Sequence, residues 1–166
     1  VGLPPSRNES LQPAAGRRRS DRVVVSGWKA YNNKGRVLEK YEPFFGTRWD
    51  YQPEKEARYG SHITQHYDPR GRVIRTVNPD GSEQRVIFGI PESPSAPESF
   101  EPTLWERYTY DANDNAARAH PPHADLGAFD HHQNTPMHEI RDGLGRTIGA
   151  VERTRAPDGS LALRFT

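Results

Sequence analysis

The chain has 166 residues, of which 33% are hydrophobic, and its mean hydropathy of -0.96 is too low for a large self-contained core. Its 23 basic and 22 acidic residues nearly cancel, which gives no electrostatic reason to expect a nucleic acid or an anionic membrane as a partner. There is no cysteine, so disulfides and thiolate metal sites are excluded, and no apolar run approaches the ~20 residues that span a bilayer.

Turn-forming residues and aromatic residues are both frequent. Glycine and proline supply 14 and 15 residues, which is more than a helical protein tolerates. Three Trp, seven Tyr and six Phe argue against a disordered chain, because disordered sequences of this polarity are poor in side chains that can bury surface. The composition therefore predicts an all-β fold of short strands joined by tight turns.

Residues 1–22 differ from the rest of the chain. They contain three prolines, the basic triplet Arg17, Arg18 and Arg19, and almost no apolar periodicity. No aromatic residue is interleaved with the arginines, so we expect a linker or disordered tail and not a nucleic-acid or membrane contact. Because the first residue is not Met, we expect the sequence to be a piece of a longer protein.

The ordered domain is predicted over residues 23–166 and begins with a hairpin. Residues 23–31 predict one strand and residues 36–41 a second, since both are rich in β-branched and aromatic side chains. Asn32 and Gly35 stand at the first and fourth positions of the turn between them. There, an Asn side chain caps the turn and glycine accepts a left-handed backbone.

The same turn chemistry recurs twice over residues 62–88. Strand-forming segments alternate with turns that have Asx at the first position, Pro at the second and Gly at the fourth. The turn residues are Asp68, Pro69, Gly71, Asn78, Pro79 and Gly81. The pattern predicts a three-stranded antiparallel meander in which each turn is a type I turn followed by a left-handed glycine.

Three segments interrupt the strands and are predicted as loops. They lie near residues 42–61, 89–105 and 120–136. The second contains four prolines, which a strand inside a sheet does not accommodate, so it is predicted as a surface excursion. The third is rich in proline and histidine.

The turn after the predicted strand at 106–110 departs from the pattern. Asp111 stands at its first position, but Asp114 stands where glycine is expected. Because Asp enters the left-handed region more readily than most residues with a side chain, we predict a hairpin turn with a left-handed Asp114.

The C-terminal part restores the regular pattern. Asp142 and Gly145 mark one turn, and Pro157 and Gly159 mark another. The last strand, over 160–166, alternates large apolar residues with Ala and Arg, which predicts one apolar face.

Comparison of the turns among themselves indicates a repeat. Tyr31, Tyr67 and Tyr110 each precede a turn, and a Gly-Arg pair follows three of the turns. Rhs/YD repeats have a fixed order of motifs, which is Tyr-Asp, a few further residues, Gly-Arg, a strand and then Pro-Asp-Gly. The chain resembles that family from about residue 23 to its C-terminus. More specifically, the segments 24–32, 78–86 and 108–115 resemble the toxin-complex B component and its fused BC relatives.

The resemblance implies both a fold and a function. Antiparallel hairpins and meanders would form a segment of a curved hollow shell, which encloses an unfolded toxic C-terminal region until delivery. The implied partners are the remainder of the shell, from B and C components, the encapsulated polypeptide and, through other domains, a pore-forming A component. The parent would be secreted by a bacterium. A wall one sheet thick needs no large core, which agrees with the low hydrophobic fraction.

Histidine clustering makes a metal site a candidate. Five of the seven histidines lie between His120 and His138, and Asp125 and Asp130 could add oxygen ligands. The segment is a proline-rich loop without the spacing that places two ligands on one helix face, so we expect no metal site and no cofactor. A metal-dependent hydrolase nevertheless stays among the function classes to be tested.

Asp68 begins an Asp-Pro-x-Gly motif that resembles the self-cleaving aspartyl motif of the C component. That chemistry needs a second carboxylate to stay protonated while the first activates water, and the chain has no second Asp-Pro-x-Gly. Arg72 also follows where that motif carries an apolar residue. We therefore expect an ordinary turn at Asp68 and, in the absence of other catalytic motifs, no enzyme.

The alternative function is a cell-surface Rhs-type protein that binds carbohydrate or a neighbouring cell. In such a protein Tyr31, Tyr67 and Tyr110 could stack on sugar rings. Their equivalent positions at strand ends favour cross-strand packing instead.

Overall fold

A computed structural model describes residues 22–46, 60–119, 131–156 and 158–166 of the chain. These residues form eleven β-strands and one four-residue helix. The elements are β1 Val23–Val25, β2 Lys29–Tyr31, β3 Val37–Tyr41, β4 Phe44–Gly46, β5 His62–Tyr67, β6 Val73–Val77, β7 Glu83–Pro91, β8 Phe100–Tyr110, α1 Ala116–Ala119, β9 Met137–Arg141, β10 Thr147–Arg155 and β11 Leu161–Phe165. No helix in these ranges is long and apolar enough to cross a membrane.

Several sequence predictions lie outside the described residues. They are the linker over 1–21, residues 47–59 of the first loop, residues 120–130 of the third loop with His120, His123, Asp125 and Asp130, and Pro157.

Nine strands form one open antiparallel sheet. Their order is β2-β3-β5-β6-β7-β8-β9-β10-β11, so that nearly every strand pairs with the strands before and after it in the chain. The exception is β4, which pairs with β1 in a separate two-stranded sheet and leaves β3 beside β5. This architecture confirms the all-β fold of antiparallel hairpins and meanders.

The meander predicted over residues 62–88 is confirmed. β5 pairs with β6 in a register that places Thr64 opposite Val77, and β6 pairs with β7 so that Val77 also lies opposite Glu83. All three strands are antiparallel and joined by the two predicted turns, because the left-handed glycines reverse the chain within four residues.

The segment 23–31, predicted as one strand, is two strands, and the prediction is wrong at this point. Gly27 has a left-handed backbone, with φ of 73°, which interrupts the extended chain between β1 and β2. β1 pairs with β4, with Val24 opposite Phe45, whereas β2 pairs with β3. One apolar run therefore contributes to two sheets. β4 itself lies at the start of the first predicted loop.

The prediction of a loop over residues 89–105 is also wrong for most of that segment. β7 runs to Pro91, β8 begins at Phe100, and these two residues are still opposite each other in the ladder, so residues 92–99 alone form the connection. Pro102 is tolerated because β8 pairs with β9 only from Glu106 to Thr109. Further back along β8 the strand has a partner on one side only, where a missing N–H costs little.

The core is small and lies on one face of the sheet. Ile87 on β7 and Tyr108 and Tyr110 on β8 form the buried apolar cluster among the described residues. The predicted apolar side of the last strand stays uncovered, since Leu161, Leu163 and Phe165 are all exposed. The sheet is thus held by its ladders, turns and cross-strand pairs more than by a packed interior.

Candidate functional site

Three turns share one hydrogen-bond arrangement, which we call the Asx-Gly-Arg turn. The first residue is Asn or Asp, the fourth is a left-handed glycine and the fifth is Arg. The side-chain oxygen of the first residue accepts the backbone N–H of the Arg, at 3.0 Å for Asn32 and 2.9 Å for both Asp68 and Asp142. The glycine N–H donates to the carbonyl of the first residue. The three glycines are Gly35, Gly71 and Gly145.

Two other turns have the sequence Pro-Asp-Gly-Ser, and in them the Asp bonds the Ser. Asp80 Oδ1 accepts the N–H and the hydroxyl of Ser82 at 2.9 and 2.7 Å. Asp158 Oδ1 accepts the same groups of Ser160 at 2.9 and 2.6 Å, and these bonds hold the pKa of Asp158 below its usual value. Each turn continues through a left-handed glycine, Gly81 or Gly159. Asn78 Nδ2 adds a bond to the Ser82 hydroxyl.

Asp68, the residue of the candidate catalytic motif, is a turn cap. Desolvation opposes its ionisation, but the N–H and guanidinium of Arg72 outweigh this and hold the pKa of Asp68 below its usual value. Arg72 Nε lies 2.7 Å from Asp68 Oδ2, and the same guanidinium lies 3.4 Å from the centroid of the Phe88 ring. The Asp68 carboxylate is therefore held by Arg72 as part of the turn.

The turn at residues 111–115 has a different structure, and the prediction of a left-handed Asp114 is wrong. Among the described residues Asn134 is the one non-glycine residue with positive φ. Asp114 is 5% exposed, and the chain turns directly into α1. The Asp114 carboxylate accepts the N–H of Asp111 at 3.0 Å, and the N–H and hydroxyl of Thr135 at 2.7 and 3.0 Å. It therefore joins two segments that are distant in sequence.

Six polar residues around this turn form one connected network, which we call the buried polar node after its two buried members, Asp114 and Asn115; the others are Asp111, Arg118, Asn134 and Thr135. The fully buried Asn115 donates through Nδ2 to the carbonyl of Glu83 at 3.1 Å and to that of Asp111 at 2.9 Å. Arg118 donates to Asn134 Oδ1 at 2.7 Å and to the carbonyl of Ser95 at 2.8 Å. The node thus ties β7, the loop after it and the segment before β9 to the end of β8.

Burial changes the ionisation of the node. Desolvation raises the pKa of Asp114, and the nearby Asp111 carboxylate acts in the same direction, while the N–H groups that Asp114 accepts oppose the shift. Asp142 lies in a regular turn, and its pKa is shifted in the opposite direction. The side chain and N–H of Arg146 hold the pKa of Asp142 below the usual value. Two Asp residues in repeat-equivalent segments therefore differ in the sign of their pKa shift.

The sequence contained one signal for the node. Asp114 replaces the glycine of the other turns, and a repeat that loses its glycine needs a different geometry. Asn134 and Thr135 lie some twenty residues further along the chain, inside a predicted loop, and nothing in the local pattern connects them with Asp114. The long-range hydrogen bonds were therefore missed.

Glu83 at the start of β7 is a second buried polar group. It is 2% exposed and lies between two arginines, with Nη2 of Arg75 on the neighbouring β6 at 2.6 Å and Nε of Arg85, two residues along β7, in closer contact. Desolvation alone would favour the neutral acid, but the two guanidinium groups hold the pKa of Glu83 below its usual value. The carboxylate is fully paired, which is the requirement for a charge inside a sheet.

The three repeat tyrosines have different environments. Tyr110 is fully buried, and burial raises the pKa of its hydroxyl to about 12. The Tyr67 hydroxyl donates to the carbonyl of Val37 at 2.7 Å, and the Arg36 guanidinium lies 5.7 Å from its ring centroid. Tyr31 is 59% exposed. Tyr110 and Tyr67 therefore contact neighbouring strands, whereas the Tyr31 ring is mostly exposed.

Two of the histidines that the structure describes, His62 and His138, contact neighbouring residues through their rings. The His138 ring stacks on the Tyr108 ring with centroids 4.2 Å apart, and its Nε2 lies 2.9 Å from Glu106 Oε2. In the described ranges no three His, Cys, Asp or Glu side chains are grouped as a metal site would require. His131 and His132 lie in the turn before β9.

No protein-family model matches the chain, and no curated protein sequence matches it. Several solved structures match the chain. The crystal structure of TcdB2-TccC3 matches 87% of this chain with 27% identity and a TM-score of 0.68, and that of TcdB2-TccC3-Cdc42 matches the same share with 27% identity and a TM-score of 0.69. The Tc holotoxin pore of Photorhabdus luminescens gives 27% identity and a TM-score of 0.69. The chain spans 6% of the length of each of these chains. Its fold is that of a segment of these toxin-complex proteins.

Proposed function

We propose that the chain is a structural segment in the wall of a secreted bacterial toxin-complex shell, which encapsulates a toxic C-terminal region before delivery. The observation that carries the proposal is the open antiparallel sheet of nine strands, together with its likeness to toxin-complex structures over 87% of the chain. A sheet of successive hairpins extends in one direction without closing, which is the geometry that a curved wall needs.

Charged side chains on both faces of the sheet support a wall that contacts water on both sides. On one face Glu83 pairs with Arg75 across the β6–β7 ladder. On the other face Glu139 pairs with Arg107 at 2.7 Å across the β8–β9 ladder. Both faces thus keep charged cross-strand pairs, and neither is an apolar surface that must be covered along its whole length.

The proposed partners follow from the same role. They are the remainder of the shell, built from B and C components, the enclosed polypeptide and, through other domains, a pore-forming A component. We propose no catalytic activity for this segment, because the Asp68 carboxylate is engaged by Arg72 and the Asp114 carboxylate accepts hydrogen bonds from Asp111 and Thr135. The carbohydrate-binding alternative lacks support, since Tyr31 alone among the three repeat tyrosines is exposed.

Cryo-electron microscopy of the full-length parent polypeptide tests the proposal. We expect a hollow particle in which residues 62–88 lie as three adjacent antiparallel strands of the wall. We also expect a C-terminal region that resists added protease until the particle is opened. A solid or rod-like particle, or a C-terminal region cleaved at the rate of an unfolded chain, would contradict the proposal.

A further inference from the structure

Tyr67 and Gly71 together hold an arginine of the preceding hairpin, and we call this pair the Arg cradle. The Arg36 guanidinium lies 5.7 Å from the centroid of the Tyr67 ring, within the ~6 Å of a cation–π contact. The same guanidinium overlaps the position that a Cβ would take at Gly71, so the contact requires a glycine there. The Tyr67 hydroxyl donates to the carbonyl of Val37 at 2.7 Å. The cradle therefore binds two consecutive residues of the neighbouring strand.

Strand register brings the arginine to the ring. β3 pairs with β5 in a register that places Arg36, the first residue after its turn, opposite Tyr67. β6 pairs with β7 so that Arg72, at the same position of the next turn, lies opposite Phe88, and its guanidinium is 3.4 Å from the centroid of that ring. Two of the three Asx-Gly-Arg turns thus place their Arg on an aromatic ring of the facing strand.

The first hairpin contains an equivalent pair, Tyr31 and Gly35, which we call the outer cradle. Tyr31 is the last residue of β2, as Tyr67 is of β5, and an Asx-Gly-Arg turn follows each. Both tyrosines lie directly after a register shift in their hairpin. The two glycines have similar backbones, with φ of 72° at Gly35 and 89° at Gly71. The outer cradle therefore repeats the geometry of the Arg cradle.

The outer cradle faces solvent in the part of the chain that the structure describes. β2 is the last strand at its end of the nine-stranded sheet, so its outer edge has no neighbour among the described strands. Tyr31 is 59% exposed. A Cβ at Gly35 would meet no described atom within 4 Å, whereas one at Gly71 meets Arg36. The outer cradle thus has room for a guanidinium where the Arg cradle holds one.

We propose that Tyr31 and Gly35 bind the arginine of an Asx-Gly-Arg turn in another hairpin of the wall, whose strand pairs with the outer edge of β2. The proposal rests on the proposed function. The electron-rich face of the tyrosine selects a cation, and a planar guanidinium fits between the ring and a residue without a Cβ. The chain spans 6% of the toxin-complex chains that it resembles, and such a chain has many further hairpins to supply the arginine.

The basic triplet near the N-terminus is a poorer match to the outer cradle. Gly16 precedes Arg17, but position 13, where the turn needs Asx, is Pro. In the Arg cradle the bound arginine is held by such a cap, since Asn32 Oδ1 accepts the N–H of Arg36 at 3.0 Å. The sequence before Arg17 cannot form this bond, which favours a wall hairpin as the partner.

Cryo-electron microscopy of the full-length parent polypeptide tests the partner directly. We expect an arginine that follows a glycine to lie with its guanidinium within about 6 Å of the Tyr31 ring centroid. The carbonyl of the residue after that arginine should accept the Tyr31 hydroxyl. A bare Tyr31 ring, a ring covered by a residue other than Arg, or an arginine from residues 17–19 or from a second copy of the polypeptide would overturn the proposal.

Amide hydrogen exchange in the same parent provides a second test, through Gly35→Ala. The matched control is Gly145→Ala, because Gly145 has φ of 76° and also meets no described atom within 4 Å. The strand before that hairpin, β8, is already in place, so no further hairpin can enter beside it. We expect Gly35→Ala to accelerate exchange in β2 and β3 about 5-fold more than Gly145→Ala accelerates it in β9 and β10. Equal acceleration would overturn the proposal.

Failure of this proposal can be separated from failure of the proposed function. A hollow particle in which Tyr31 stays bare would retain the wall and overturn the outer cradle alone. A particle without a hollow interior, in which a glycine-linked arginine of another hairpin lies on Tyr31, would overturn the encapsulating role and leave the contact established.

Discussion

The Asx-Gly-Arg turns and the turn at residues 111–115 occupy equivalent places in the repeat but are stabilised in different ways. A regular turn such as 142–146 is exposed and self-contained, with every bond of Asp142 made to residues within four positions. At 111–115 the key side chain, Asp114, is buried and bonds Thr135, 21 positions away. Regular turns reverse the chain locally, whereas the buried polar node fixes the relative positions of distant segments.

The largest effect should come from the node, through Asn115→Ala. Asn115 is fully buried, and its side chain bonds the carbonyls of Glu83 and Asp111 and accepts a bond from Arg118, so the substitution removes three hydrogen bonds. We expect the free energy of unfolding to fall by about 2–4 kcal/mol. Urea unfolding followed by tryptophan fluorescence would measure the change.

The matched control is Asn33→Ala, at an exposed position of the first regular turn. We expect a change within about 0.5 kcal/mol. Equal losses for Asn115→Ala and Asn33→Ala would show that the node stabilises no more than a surface turn, and the contrast between the two regions would disappear.

A smaller effect is expected when the left-handed glycines are replaced, and it should vary among the regular turns. A Cβ at Gly145 meets no atom within 4 Å, so Gly145→Ala costs only the strain of φ at +76°, about 1–2 kcal/mol. A Cβ at Gly71 would overlap the guanidinium of Arg36 from the preceding hairpin. We expect Gly71→Ala to lose about 1 kcal/mol more, as measured by urea unfolding. Indistinguishable losses would mean that Arg36 moves away freely.

The arginines of the regular turns should differ for a similar reason. Arg72 is 37% exposed and lies over the Phe88 ring, whereas Arg146 is 72% exposed and pairs with Asp142 of its own turn. We expect Arg72→Gln to cost about 1 kcal/mol and Arg146→Gln about 0.3 kcal/mol. Thermal unfolding at low and high salt would compare them. A larger loss for Arg146→Gln would contradict the view that neighbouring hairpins are joined through Arg72.

The sequence predicted what depends on local chemistry. Asx at the first turn position and Gly at the fourth are sufficient to place the turns of the meander, because capping and the left-handed backbone act within five residues. Whether a proline interrupts a strand depends instead on whether a partner lies beside it. Pro91 and Pro102 were read as loop residues, but β7 and β8 continue through them where each has one neighbour.

Burial was the other property that the sequence did not reveal. In the sequence, Asp114 stands at a position where glycine would fit the turn better. Its role in joining two segments is evident only from its hydrogen bonds to Thr135 and Asp111. Long-range contacts of this kind leave no periodic pattern in the chain.

The smallest expected effect is a difference in titration between the two kinds of turn. Arg146 lowers the pKa of Asp142, so this Asp contributes stability above its unfolded pKa of about 3.9 and loses it as the pH falls through the lower folded value. Burial raises the pKa of Asp114, so its contribution is full below about pH 3.9 and is lost as the pH rises through the higher folded value. Carboxyl-carbon NMR titration should place the Asp114 midpoint above the Asp142 midpoint. The reverse order would mean that the hydrogen bonds from Thr135 outweigh burial, and Asp114 would then behave as another capped turn residue.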